Sequence, residues 1–394
     1  MSEYETTEKD AKRIREIWEA CFDDTKAFGD WFFTHRYTPA QTLAFRENGE
    51  ILSNLQMIPY RVRLRGRELA SWFIVGAATL PEARNRGHMA ALLKASFARM
   101  REAGVTLSHL YPFQYDFYRR FGYEVCSERL LARLSPSDIL GSRVMREAAG
   151  WPVHVTEIEA QADLDALKGC YDAFAGELDG WVVRDGRSFE LRLMEHALEN
   201  GGGLAVRRNG EIRAYALYAL QEKKVVCPET VYVHPLDLYA LIWHLARRFS
   251  QMETIEFATP VSDTLRYRLK DGRARFFIEP FDMMRIVDLK ALLEALCFPQ
   301  GVKGAWVVEI RDPHAPWNDG RFLVRVDEGR ASVESTDSPA CFTLSIDAMA
   351  QIVCGLVPPL SMARCRRLRY GEYSRLLQFE EAFPASVPYI FEMY

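Results

Sequence analysis

The hydrophobic positions near the start of the chain follow a helical period first and a strand period next. Within residues 8–22, apolar side chains recur at helical spacing among charged ones, at Ile14, Ile17, Trp18 and Cys21. Strand-like runs follow at 42–47, 51–58 and 60–64, with turn signals at Asn48-Gly49 and Arg65-Gly66. This pattern predicts an amphipathic helix followed by an antiparallel meander.

A strand, a charged loop and a helix come next, in that order. Residues 71–80 form a dense apolar run, 81–87 form a loop with three charged residues, and 88–103 have an amphipathic helical pattern. A short buried strand at 107–111, a helical turn at 114–121 and a closing strand at 123–134 are then predicted. These elements complete one α+β domain near residue 140.

From about residue 153 the same order of elements starts again. A helix is predicted at 163–174, strands at 203–208 and 212–221, and a helix at 236–248. No glycine-rich basic loop recurs at 233–241, so this second region is interpreted as a degenerate copy without a cofactor.

A third region opens with a predicted helix at 285–296. Strands are predicted at 305–311, 320–327, 330–335 and 342–345, before helix-forming segments return. The tail at 383–394 is apolar and aromatic, which predicts a docked end rather than a frayed one.

Composition and charge exclude several classes of protein. The 394 residues are 48% hydrophobic and 26% charged, as in ordinary globular proteins, and the formal net charge of −4 argues against nucleic acid as a partner. The longest apolar runs are too short for a membrane span, and the acidic, polar start lacks a secretory signal, so a cytoplasmic location is expected. Eight scattered cysteines without a CxxC pair are expected to be reduced thiols, and no metal site is predicted.

The loop between the apolar strand and the long helix has the features of an anion site. Unpaired N–H groups at a helix start attract phosphate, Gly87 permits close backbone approach, and Arg84 and Arg86 add positive charge. Taken alone, the loop is more often a solvated basic cap on an amphipathic helix.

Its context resembles a known family. The run Arg84-Asn85-Arg86-Gly87-His88-Met89 is similar to the Arg/Gln-x-x-Gly-x-Gly/Ala element of the GCN5-related N-acetyltransferases (GNAT), although Met89 replaces the small residue. Three further segments, Thr79-Leu80-Pro81-Glu82, Leu110-Tyr111-Pro112-Phe113 and Phe117-Tyr118-Arg119-Arg120-Phe121-Gly122-Tyr123-Glu124, resemble the enhanced intracellular survival (Eis) branch of that superfamily.

The resemblance implies a fold and a domain plan. The fold class is α+β, with a catalytic GNAT domain at 1–145, a degenerate GNAT-like domain at 146–284 and a sterol carrier protein-like domain at 285–394. It also implies acetyl-CoA as co-substrate, with main-chain groups of Ala77, Ala78 and Thr79 binding the pantetheine amides. Residues from Asn85 through Gly87, His88 and Met89 to Ala90 would then bind the pyrophosphate, and Phe113 and Gln114 are further candidates beside the cofactor.

Two residues are the predicted catalytic groups. A phenol is protonated at neutral pH, so Tyr118 fits the role of general acid for the departing thiolate, as the family uses it. The family folds its last residue into the site, which assigns the base to the main-chain carboxylate of Tyr394. The alternatives are that Tyr118 packs only in the core and that the tail only fills space between domains.

The acceptor and the assembly are less defined. The resemblance implies a primary amine of an aminoglycoside, a polyamine or a lysine side chain, which Asp23, Asp24, Asp30 and Glu392 would help attract if they line the cleft. It also implies a homo-oligomer, with hexamers as the precedent. His35, His88 and His109 lack ligand spacing and receive no base or metal role. The alternative function is a non-catalytic sensor that binds acyl-CoA or lipid.

Overall fold

In the computed structural model, residues 4–269 and 275–393 are described, and they form two compact units. Unit 1 contains the described parts of Met1–Ser127, Asp179–Val183 and Phe281–Tyr394, and unit 2 contains those of Glu128–Leu178 and Arg184–Pro280. No helix in these described stretches is both long and apolar enough to cross a bilayer.

The first stretch of unit 1 supplies most of one mixed sheet. Its elements are α1 (Ala11–Cys21), α2 (Lys26–His35), β1 (Thr42–Glu47), β2 (Glu50–Leu64), β3 (Arg67–Thr79), α3 (His88–Glu102), β4 (Leu107–Leu110), α4 (Tyr115–Arg119) and β5 (Glu124–Val125). Single turns of 3-10 helix lie at Glu8–Asp10, Pro39–Gln41 and Pro81–Ala83. The predicted first helix and the α3 helix are confirmed.

Unit 2 follows, with one short excursion back to unit 1. It begins with β6 (Glu128–Leu134), α5 (Pro136–Gly141), α6 (Arg143–Ala149), β7 (His154–Glu157) and α7 (Ala160–Ala175). β8 (Trp181–Val182) belongs to unit 1. Unit 2 then continues with α8 (Gly186–Leu198), β9 (Gly202–Arg208), β10 (Glu211–Gln221), β11 (Lys224–Tyr232), α9 (Pro235–Arg248), β12 (Thr254–Thr259) and β13 (Arg275–Pro280). Its sheet has the order β13-β6-β12-β11-β10-β9-β7.

The last stretch returns to unit 1 and adds a second sheet to it. Its elements are β14 (Met283–Ile286), α10 (Leu289–Ala295), β15 (Gly304–Arg311), β16 (Gly320–Asp327), β17 (Arg330–Ser335), β18 (Phe342–Ser345), α11 (Ile346–Cys354), α12 (Pro359–Arg364), β19 (Leu368–Tyr370) and α13 (Tyr373–Ala382). The first sheet of unit 1 has the order β1-β2-β3-β4-β14-β5, with β8 on β2, and the second has the order β17-β16-β15-β18-β19.

Three sequence predictions about strands were wrong. The predicted strand at 123–134 divides into β5 and β6, which lie in different sheets. The predicted helix at 285–296 begins only at Leu289, because Met283–Ile286 is a strand that pairs with β4 and β5.

The third error concerns Pro59, where two predicted strands are a single strand, β2. The carbonyls of Arg61 and Arg63 face β8, so the backbone of Pro59 faces the same edge. β1 pairs with β2 only as far as Gln56, and β8 begins opposite Val62. Proline is tolerated there because this part of the edge needs no N–H donor.

Candidate active site

β3 and β4 separate part-way along their length and leave one backbone edge open. Their parallel pairing runs from Ser71 with Leu107 to Phe73 with His109 and then stops. On its other side β3 stays paired with β2 as far as Thr79. The backbone groups of residues 74–79 that face β4 therefore have no ladder partner among the described residues. An extended amide chain can pair with such an edge.

A bulge at Gly76 shapes this edge. The β2–β3 register shifts so that Gly76 and Ala77 both oppose Leu55, and Gly76 has a φ of +54°. A Cβ at Gly76 would lie 2.1 Å from Oε1 of Gln56 and 2.3 Å from Cζ3 of Trp18. Only glycine fits, so the bulge that carries Ala77, Ala78 and Thr79 is fixed by packing.

The turn before α3 leaves the first helical N–H groups open. Asn85 and Gly87 have φ values of +62° and +85°, and Gly87 is the N-cap without a side-chain cap. The first helical bond is donated by Ala91 to the Gly87 carbonyl, and the N–H groups of His88, Met89 and Ala90 have no partner among the described residues. This arrangement fits a pyrophosphate.

Side chains around this turn have separate roles. Arg84 Nε donates to the Thr79 carbonyl at 3.2 Å, and Arg86 pairs with Glu47 at 3.0 Å while staying half exposed. The His88 ring stacks on Phe45 with centroids 4.1 Å apart, so its main chain is what it offers an anion. Met89 and Ala90 pack partly against the core.

Tyr118 lies in the short helix α4 and is 4% exposed. Its ring makes edge contacts with Phe113 and Phe117, with centroids 5.5 and 5.1 Å away. Burial raises the pKa of Tyr118 above its ordinary value, so the phenol keeps its proton at neutral pH. No hydrogen bond joins its hydroxyl to a described residue. Phe113 itself is 73% exposed, and Gln114 is also exposed, directly before α4.

The C-terminal region holds the end of α4 in place. Arg285 donates to the Phe121 carbonyl and to both carboxylate oxygens of Asp312, at 2.9 and 2.7 Å in the latter bonds. His314 Nε2 lies 2.6 Å from the Arg120 carbonyl. Gly122 has a φ of +78°, and a Cβ there would collide with Arg285. The Phe121-Gly122-Tyr123 segment is therefore shaped by this buried ion pair.

The sequence reasoning missed a buried histidine–aspartate pair. His109 Nδ1 lies 2.6 Å from Asp282 Oδ2, and Asp282 also accepts from the Ser127 hydroxyl. The His109 ring stacks on Phe73 at 5.0 Å, is 3% exposed, and its Nε2 has no hydrogen-bond partner in the described structure. No local pattern predicts this pair, because its members lie far apart in the sequence.

The tail is docked as predicted, as far as it is described. Tyr389 donates its N–H to the Asp179 carbonyl at 3.0 Å, and the side chains of Tyr389, Ile390 and Phe391 are buried. Glu392 is 9% exposed. The predicted base, Tyr394, lies outside the described residues.

Two of the four acidic residues proposed to attract an amine have local partners. Asp30 pairs with Arg15 at 2.5 Å and Lys26 at 3.3 Å, and Asp24 accepts from the Trp18 ring nitrogen at 2.9 Å. Asp23 is exposed. Asp24 and Asp30 therefore serve local structure in this conformation.

Family models match all three regions of the chain. Two different acetyltransferase (GNAT) domain models match residues 4–126 and 180–286, and a sterol carrier protein domain model matches residues 289–391. GNAT acetyltransferases use acetyl-CoA as co-substrate, which agrees with the open strand edge and the uncapped helix start.

Similar proteins extend over most or all of the chain. N-acetyltransferase Eis of Mycobacterium tuberculosis is 24% identical over 79% of this chain and 77% of its own length. A probable N-acyltransferase from Enterococcus faecalis and a GCN5-related N-acetyltransferase from Anabaena variabilis share the fold, with TM-scores of 0.88 and 0.86, identities of 21% and 17%, and 99% coverage of both chains. The chain is an Eis-like acyltransferase of the GNAT superfamily, with two GNAT domains and a C-terminal sterol carrier protein domain.

Proposed function

We propose that this enzyme moves the acetyl group of acetyl-CoA directly to a primary amine of a cationic acceptor, such as an aminoglycoside, a polyamine or a lysine side chain. The observation that carries the proposal is the open edge of β3, which leads from the uncapped start of α3 towards the point where β3 and β4 separate. Tyr118 belongs to the same core cluster as Leu110, the residue at which β4 has left β3.

In this proposal, main-chain groups of Ala77, Ala78 and Thr79 bind the pantetheine amides. The N–H groups of residues 85–90 bind the pyrophosphate, with added charge from Arg84 and Arg86, and Phe113 and Gln114 lie beside the cofactor. A non-catalytic acyl-CoA or lipid sensor would need the same cradle but no buried proton donor.

Tyr118 acts as the general acid. Burial raises its pKa, and the same dry surroundings destabilise a thiolate, so a proton or hydrogen bond from the phenol is most valuable as the C–S bond breaks. The main-chain carboxylate of Tyr394 accepts a proton from the attacking nitrogen. No covalent intermediate with the enzyme is needed.

The test is turnover of acetyl-CoA with a panel of aminoglycosides, polyamines and lysine peptides. We compare wild type with Tyr118→Phe and with a variant that has one glycine added after Tyr394. Removal of a general acid or base costs about 100- to 10,000-fold in rate. We expect both variants to lose kcat in this range while binding acetyl-CoA normally.

Tyr373→Phe is the matched control, because this exposed tyrosine of α13 has no role in the proposed mechanism. Full activity of both test variants would refute the assigned acid and base. A wild-type protein that binds acetyl-CoA but acetylates none of the amines would favour the sensor. Homo-oligomer formation is part of the proposal and is measured by light scattering.

A further inference from the structure

We propose that His109 is a further catalytic residue: its Nε2 takes the proton that converts the bound ammonium of the acceptor into a nucleophilic amine, and Asp282 is its positioning residue. This inference rests on the proposed function. It assigns a chemical role to a buried pair that the acid and base already named do not use.

His109 lies at the point where β3 and β4 separate. It is the last β4 residue paired with β3, opposite Phe73. From residue 74 to residue 79 the open edge measures roughly 17 Å at about 3.3 Å per residue. A pantetheine arm that follows this edge from the α3 turn ends with its thioester close to the Phe73–His109 pair.

His109 and Tyr118 lie on opposite faces of the sheet. Neighbouring residues of a strand point to opposite faces. Leu110 shares a core cluster with Tyr118 and Tyr123, and the Ser108 hydroxyl lies 2.7 Å from that of Tyr123. His109 therefore points to the other face. Tyr118 and His109 thus lie on opposite faces of the sheet, so the proton donor for the sulfur and the proton acceptor for the amine occupy separate positions.

The contact with Asp282 sets the tautomer of the His109 ring. With Asp282 Oδ2 as the acceptor, His109 donates its Nδ1–H, and this tautomer leaves a lone pair on Nε2. This acceptor is buried and has no donor among the described residues. The His109 ring stacks on Phe73, whose ring centroid lies 4.7 Å from that of Tyr60. The guanidinium of Arg36 lies over the Tyr60 ring. In this proposal, a donor from the bound acceptor, such as an ammonium N–H, satisfies this nitrogen of His109.

The ordinary pKa values of the groups explain why two proton acceptors are useful. A lysine-like ammonium has an ordinary pKa of about 10.4, against about 6.5 for histidine and about 3.5 for a terminal carboxyl. The histidine is the better match for the first proton. After the C–N bond forms, the nitrogen is far more acidic, so the Tyr394 carboxylate suffices for the second.

The protons and bonds balance. His109 takes one proton from R–NH3+, the nitrogen lone pair forms the C–N bond, and the C–S bond breaks. Tyr118 protonates the sulfur, and the Tyr394 carboxylate takes one of the two protons left on nitrogen and returns it to the Tyr118 phenolate. The products are the amide, the CoA thiol and one proton, which His109 releases to solvent.

The test uses the full chain and an amine that wild type acetylates. His109→Asn keeps a donor for Asp282 but removes Nε2, and we expect kcat to fall about 100-fold or more with the acetyl-CoA Kd unchanged. Asp282→Asn should lower kcat without changing the KM for the amine. In His109→Ala, added imidazole should restore part of kcat, which a purely structural role would not allow.

His244→Asn is the control, because this histidine of α9 also has a buried Nε2 without a partner in the described residues. If His109→Asn folds poorly, the kcat of Asp282→Asn and the imidazole rescue of His109→Ala test the inference instead. Wild-type kcat in a folded His109 or Asp282 variant, or no rescue, overturns this inference alone. Absence of turnover by wild type on every amine overturns the proposed function and this inference with it.

Discussion

The two GNAT domains place a helix at the same point, α3 after β3 and α9 after β11, but the helix starts differ. The N-cap of α3 is Gly87, which supplies no side-chain cap, and the first turn of the helix has no acidic residue. The N-cap of α9 is His234, whose ring accepts from the Leu236 N–H, and the helix begins at Pro235, which has no N–H. Asp237 then places a buried carboxylate in the first turn.

The strands show the same contrast. β11 also leaves its parallel neighbour, since its pairing with β12 ends at Cys227. In the stretch beyond, Glu229 is buried against Arg184 and Tyr215, and the Tyr232 hydroxyl bonds Asp263 at 2.5 Å. The second domain keeps the fold, and buried ion pairs and hydrogen bonds between its own side chains occupy the stretch beyond Cys227. A few residues at a helix start thus distinguish the two domains.

The largest effect is expected at the helix start of the first domain. Gly87→Glu must hold a backbone conformation that costs most residues about 1–3 kcal/mol, and it brings a negative charge to the proposed pyrophosphate site. We expect acetyl-CoA affinity, measured by calorimetry, to fall roughly 1,000-fold, or ~4 kcal/mol.

Gly210→Glu is the matched control, because Gly210 has a φ of +86° and equally open surroundings but lies in unit 2. It should be destabilised to a similar extent and bind acetyl-CoA normally. A similar loss of affinity in both variants would contradict the assignment.

The second prediction concerns acid stability of the second domain. Burial alone would raise the pKa of Glu229, but Arg184, Arg192 and the Tyr215 hydroxyl outweigh it and lower the pKa to about 2. Its stabilisation is complete above pH ~4.5 and is lost as the pH falls towards ~2, which removes up to roughly 3 kcal/mol.

Hydrogen exchange of unit 2 amides between pH 6 and pH 2.5 measures this loss. Glu229→Gln should have a flatter pH dependence than wild type. Glu253→Gln, which removes only an exposed pair with Lys223, should behave as wild type. A wild-type slope in Glu229→Gln would refute the role of this carboxylate.

The third prediction tests whether the acidic first turn of α9 alone prevents binding. Asp237 is buried and pairs with Arg208 at 2.7 Å. Asp237→Asn should destabilise the fold by about 2 kcal/mol in urea denaturation, because Arg208 loses its charged partner. Pro235 and the His234 cap remain, so calorimetry should still find one acetyl-CoA per chain. A second bound molecule would break the comparison.

The smallest effect is expected at Glu47. Its exposed pair with Arg86 competes with the phosphate for that guanidinium. Glu47→Gln should raise acetyl-CoA affinity about two-fold at low salt, since exposed pairs are worth under ~1 kcal/mol and are screened by ions. Glu68→Gln, which removes a comparable pair with Arg61, should leave the affinity unchanged. Equal gains in both would indicate a general charge effect.

Local sequence chemistry was enough for the family, the fold class and many of the elements. The α3 pattern, the strands at 320–327 and 330–335, and the burial of Tyr389 to Phe391 were all predicted correctly. Periodicity suffices where an element's own residues decide its structure. The assigned roles of Tyr118 and Tyr394 came from the family resemblance and stay predictions.

Long-range pairing explains what was missed. Met283–Ile286 is a strand because β4 and β5 flank it, and no pattern within four residues encodes that. The same separation hid the His109–Asp282 contact. The Pro59 error arose because a proline disrupts a strand only where its N–H is needed, which depends on neighbouring strands.

β14 also has a consequence for biosynthesis. The first sheet needs this strand between β4 and β5, yet it is encoded after the whole of unit 2. At about 5–20 residues per second, a ribosome needs roughly 10–30 s to make the intervening segment. Until then β4 and β5 have unpaired edges, which invite aggregation. A fragment that stops before β14 should therefore fail to fold, however complete its motifs.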